Sequence, residues 1–147
     1  ARNKQRVMKT IGVAILFALF FMAIGLASMQ ILPKELLSIF NASDQMIKIG
    51  VPALKTISIS YIFAGFSVVL ISVFQAFGKG LFSMSISIAR QLVVLVPCAY
   101  LLSKTGELDN VWWAFPIAEV MSVLVAGAFF VYLYKKVITK LDMEQNQ

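Results

Sequence analysis

Histidine is absent from the 147 residues, cysteine occurs once, and charged side chains make up only 14% of the chain. Each shortage removes a class of function. Without histidine there is no Ser-His-Asp or Cys-His catalysis. With one cysteine there is no internal disulfide framework, zinc-ligand set or cysteine-held iron–sulfur site. No nucleotide loop or catalytic dyad is present either, so an enzyme is the least expected reading, and no cofactor and no metal site are expected. A soluble domain carries about 25% charged residues, so this chain lacks the polar coat that water requires. What it has in quantity is apolar: 60% hydrophobic residues and a mean hydropathy of +0.86. The composition points to a membrane protein. The net charge of +6 does not suggest a nucleic-acid partner, because the basic residues sit between apolar runs and form no continuous patch.

Residues 10–33 and 56–78 carry no charge at all, and about 18 apolar residues suffice for a spanning helix. Residues 81–102 are interrupted only by Arg90, and residues 111–134 only by Glu119. The sequence therefore predicts an all-α integral membrane protein, an antiparallel bundle of four transmembrane helices over about 8–32, 46–77, 81–103 and 111–136. The first run is too long for a signal peptide and ends at Pro33-Lys34-Glu35 rather than at a small-residue cleavage site. The start, Ala1-Arg-Asn-Lys4 with no Met, suggests a piece of a longer protein. The polar tail after Lys140 is expected to fray.

The expected loops are short. Asn41-Ala-Ser-Asp44 offers an N-cap for the second helix, Gly78-Lys-Gly80 a tight turn, and 104–110 a polar connection. Scored by Lys and Arg, one side holds Arg2, Lys4, Arg6, Lys9, Lys79, Lys135, Lys136 and Lys140. The other holds Lys34, Lys48 and Lys104, with Lys55 a borderline fourth. The positive-inside rule makes the first side cytoplasmic, with both termini of this segment there. Trp112 and Trp113 mark where the fourth helix enters the lipid, and Tyr132 and Tyr134 where it leaves.

Three helices carry a polar or small stripe at helical spacing. In the second helix it runs through Ser58, Tyr61, Gly65, Ser72 and Gln75. In the third it runs through Ser83, Ser87, Arg90 and Gln91 toward Pro97, which frees a carbonyl one turn back and can bend the helix. In the fourth it runs through Pro116, Glu119, Ser122 and Ala126. Small residues let helices approach closely and hydroxyls bond across them, so the stripes are packing seams or the walls of a polar cavity. Glu119 lies seven positions past Trp112, about 10 Å along the helix. An ionised carboxylate at that depth is costly unless paired or wetted. It is either a structural carboxyl bonded to a neighbouring hydroxyl, amide or arginine, or a group that exchanges a proton or cation. The long side chain of Arg90 is expected to snorkel to the headgroups, and Cys98 to act as a small apolar filler.

Several stretches, in this order and spacing, resemble the last helices of the MATE (multidrug and toxic compound extrusion) transporters. They are Phe40-Asn-Ala-Ser-Asp44, Phe74-Gln-Ala-Phe-Gly-Lys79, Arg90-Gln-Leu-Val-Val-Leu-Val-Pro97 and Val111-Trp-Trp-Ala-Phe-Pro-Ile-Ala-Glu119. The opening Ala1-Arg-Asn-Lys-Gln-Arg-Val7 is similar to the basic loop before the family's ninth helix. The resemblance implies a twelve-helix transporter of two six-helix lobes, of which this chain is helices nine to twelve. It implies export of organic cations and other drugs from the cell (inner) membrane, by alternating access, in exchange for H⁺ or Na⁺. The partners implied are the lipid bilayer, small-molecule drugs and the N-terminal lobe of the same protein. Many members carry an acid in the tenth helix; here residues 46–77 contain none, which leaves Glu119 or the absent lobe for coupling. Two other readings stand beside this one. A lipid-linked glycan flippase of the same superfamily would need more intramembrane basic residues than Arg90. A non-transporting four-span scaffold would be complete as it is.

Overall fold

The structure, a computed structural model, describes residues 3–138. The predicted charges at Arg2 and Lys140 and the tail beyond lie outside the described residues. The order is α1 (Lys4–Ile31), α2 (Pro33–Ile39), α3 (Asp44–Ser58), α4 (Tyr61–Ala76), α5 (Gly80–Ile88), a π-helical segment (Ala89–Leu95), α6 (Val96–Ser103), α7 (Leu108–Val111), α8 (Ala114–Leu133) and a second π-helical segment (Tyr134–Ile138). Three stretches are each long and apolar enough to cross a membrane: Lys4–Ile31, Gly80–Ser103 and Leu108–Ile138. The pair α3 and α4 together makes a fourth.

The local chemistry explains most boundaries. Asn3 caps α1 by accepting the Arg6 N–H. Pro33 ends that helix and opens α2 as its first residue, where a missing N–H costs nothing. The stretch 33–44, expected as a linker, therefore holds a two-turn helix. It closes at Asn41, which takes φ 53°, while the Ala42 and Asn41 N–H groups satisfy the carbonyls of Leu37 and Ser38. Ser43 then caps α3 by accepting the Met46 N–H at 3.3 Å. Gly78 plays the role of Asn41 at the end of α4, with φ 70° and a 2.7 Å bond from Lys79 N–H to Phe74 C=O. Pro116 sits in the first turn of α8, where its lack of an N–H leaves no helical bond unmade.

The single helix expected over 46–77 is instead two helices bent by 53°. The break falls at Ile59 and Ser60. Their N–H groups bond to carbonyls three residues back, at Thr56 and Ile57. The Ser60 hydroxyl takes the Ile57 carbonyl at 2.6 Å, and the Ser58 hydroxyl takes that of Lys55 at 3.0 Å. Hydroxyls thus occupy carbonyls that a straight helix would keep for its backbone.

α4 is the centre of the bundle, with α1 on one flank and α8 on the other. It runs antiparallel to α1: Tyr61 packs beside Gly25, Gly65 beside Ala18 and Met22, and Ser58 beside Gln30. Lys4 lies over the Tyr134 ring at 5.4 Å, so the start of α1 meets the end of α8. Hence α8 also opposes α1 and runs parallel to α4, and consecutive spans alternate in direction. The core between α4, α5 and α8 is built on Phe74, fully buried, whose ring meets Phe82 at 5.9 Å and Phe129 at 6.5 Å.

Candidate functional site

Inside the bundle two charges meet. Arg90, on the π-helical segment, donates from Nη1 to Glu119 Oε1 on α8 at 3.0 Å. The guanidinium turns to the carboxylate rather than to the headgroups. The Glu119 side chain is 13% exposed and that of Arg90 30%, so the pair has one side open at the surface of this chain and one side covered. Glu119 Oε2 is on the covered side, buried and without a hydrogen-bond partner among the described residues. Such an ion pair is costly to desolvate and more costly to break, because one partner alone is an uncompensated charge in lipid. The π-helical turn at Arg90 places one extra residue in the span, a distortion that recurs at functional positions.

Two hydroxyls and the Trp112 Nε1 are also buried without a partner among the described residues. Ser122, one turn along α8 from Glu119, is 2% exposed, and Ser67 on α4 is fully buried. Neither Oγ has a partner among the described residues. Phe74 and Phe129 lie in ring contact. Ser67 and Ser122 each stand seven residues before them, two turns back on parallel helices. The register therefore puts both hydroxyls at one level of the α4–α8 interface. The sequence stripe missed Ser67; the signal available was its two-turn spacing to Phe74.

The other predicted positions separate into groups. Ser58, Tyr61 and Gly65 face α1: Gln30 Nε2 donates to Ser58 Oγ at 3.0 Å and to the Lys55 carbonyl at 2.7 Å. Gly65 and Tyr61 close the seam below them. Ser72 bonds back to the Val68 carbonyl and lines an apolar groove of about 660 Å³ between α1 and α4, with Arg6, Thr10 and Phe77. Gln75 and Gln91 are exposed, Ser87 is half-buried beside the π-helical segment, and Pro116 is buried at the head of α8. Ser83 ties α5 to α4 through the Ile71 carbonyl at 3.0 Å. Among the described residues no group of His, Cys, Asp and Glu gathers as a metal site.

Alternating apolar spans around a charged pair define a multi-pass helical membrane protein. Comparison with known proteins makes the class specific: the MatE family profile matches residues 1–101. The chain belongs to the MATE family, whose members are transporters. It is 26% identical over 137 residues to the multidrug export protein MepA of Staphylococcus haemolyticus (strain JCSC1435), a match covering 93% of this chain and 30% of that protein. A solved structure named "protein A" superposes with a TM-score of 0.70 at 30% identity, over 92% of this chain and 29% of that one. The chain thus spans about three tenths of the length of the relatives it matches.

Proposed function

We propose that this chain is helices nine to twelve of a secondary active multidrug exporter in the cell (inner) membrane. The observation that carries the reading is the similarity to a multidrug export protein across nearly the whole chain. The whole transporter would exchange drugs or organic cations for H⁺ or Na⁺ by alternating access between two lobes. The basic end of the bundle, with Arg6, Lys79, Lys135 and Lys136, would face the cytosol. Glu119 is the candidate coupling group, since an acid well inside a span of a transporter is by default a site for a moving charge. Four spans cannot enclose a pathway between lobes, so this part alone should not transport.

The test is drug and ethidium efflux from cells expressing the full-length gene, against empty vector and against Glu119→Gln. Efflux above vector is expected for the wild type, with loss of at least tenfold in the variant. Wild-type efflux equal to vector would end the exporter reading. Full efflux by Glu119→Gln would end only the role of that residue.

A further inference from the structure

We propose that the groove between α1 and α4 seats one anionic phospholipid, with an acyl chain against the two helices and the phosphate on Arg6 and Lys9. The proposal goes beyond the exporter reading and does not rest on it. The groove, about 660 Å³, falls within the roughly 300–1,000 Å³ of ordinary ligand sites. Its apolar walls include Val7, Ile11 and Ala14 from α1 and Val69, Val73 and Phe77 from α4. Two hydroxyls stand in those walls, and both are spent on their own helices. Thr10 donates to the Arg6 carbonyl and Ser72 to the Val68 carbonyl, each at 2.9 Å. The walls therefore suit an apolar guest, since a polar one would leave its own groups unpaired there. Arg6 alone brings a charge to the groove. A second hollow of about 380 Å³ adjoins it, sharing Arg6 and Thr10 and adding Lys9 and Val13. Residues 6, 9, 10 and 13 stand at steps of three and one on α1, so the two cations are neighbours on one face.

The depths match an amphiphile. α1 holds 28 residues, about 42 Å against a hydrocarbon layer of about 30 Å. Its first turn therefore stands among headgroups, within reach of the long side chains of Arg6 and Lys9. Ala14, eight residues past Arg6, lies about 12 Å deeper. Charge selects an anion. Among the described residues, α1, α4, α5 and the second π-helical segment contain no Asp or Glu, while Lys79, Lys135 and Lys136 share this end of the bundle with Lys4. Lys4 and Lys136 lie over tyrosine rings; Arg6 and Lys9 are the exposed pair beside the groove. Basic pockets between spans hold anionic headgroups in this way. The same two charges repel an organic cation. A helix laid over the groove would bury a guanidinium that no acid at this end pairs.

The test is photolabelling of the full-length protein in phosphatidylcholine vesicles, with adducts mapped by peptide mass spectrometry. One probe is a trace of phosphatidylglycerol carrying a diazirine on an acyl chain; the other is phosphatidylcholine carrying the same group. The phosphatidylglycerol probe should label residues 7–14 and 68–77 at least about fivefold more than the phosphatidylcholine probe, the factor one basic residue near the surface contributes. Arg6→Gln/Lys9→Gln should remove that preference, and Arg6→Lys should keep it. Both native side chains are exposed, so the double variant leaves the fold intact. Ala14→Phe, which fills the groove, should abolish labelling by both probes, and excess glycerol phosphate should not compete. Equal labelling by the two probes, or a preference that survives Arg6→Gln/Lys9→Gln, overturns the seat. So does displacement by glycerol phosphate, the mark of a site for a free anion, and so does an unlabelled groove, the mark of a covering helix elsewhere in the full-length protein. Labelling is read without drug, so failure of the lipid seat and failure of the exporter reading are separate results.

Discussion

A side chain at Gly65 would begin 3.2 Å from Met22 Cγ and 3.6 Å from the backbone carbon of Ala18, so its absence sets how closely α1 and α4 approach. Gly127 faces no described atom within 4 Å. Gly65→Leu should therefore force the helices apart and cost about 1–3 kcal/mol, read as a fall in the thermal unfolding midpoint in detergent. Gly127→Ala should leave that midpoint level or higher, since alanine is the better helix former by about 1 kcal/mol. Equal midpoints for the two variants would contradict the seam. Close approach at Gly65 is legible in the sequence because small residues recur at helical spacing. The partnership of Arg90 and Glu119 is not. The residues lie 29 positions apart, and a long guanidinium side chain reaches a headgroup or a carboxylate equally well until the tertiary packing decides between them.

The bend between α3 and α4 is the element the sequence conceals. Neither Ile59 nor Ser60 is glycine or proline, and the apolar run passes through them unbroken. At the break itself hydroxyls compete for carbonyls, which hydropathy does not register; the proline of this span, Pro52, lies inside α3, seven residues before Ile59. The cap at Ser43 and the turn at Gly78 are legible because each depends on one residue type meeting one backbone requirement. The π-helical segment ends at Leu95, two residues before Pro97, the residue whose missing N–H marks a distortion of this span in the sequence; the π form itself carries no mark of its own. At the bend, Gln30 braces the Lys55 carbonyl from α1. Gln30→Leu should cost about 1 kcal/mol and speed amide exchange around residues 55–60 about five- to tenfold. Exchange unchanged there would mean that the brace carries no energy.

At the level of the whole molecule, the alternation of spans follows from four apolar runs and short turns, and the basic residues then set the expected orientation. In a Cys98→Ser background, a membrane-impermeant thiol reagent applied to intact cells should label Thr105→Cys and not Lys79→Cys. The opposite pattern would invert the assignment. The broken second span has a wider consequence. Its two helices hold 15 and 16 residues, about 46 Å if laid end to end, against a hydrocarbon layer of about 30 Å. The surplus lies in α3, which carries Asp44, Lys48 and Lys55, and the 53° bend turns that charged half away from the axis of the apolar α4. A thicker bilayer would draw more of α3 toward the membrane normal and a thinner one would release it, so bilayer thickness should act on this bundle at that hinge.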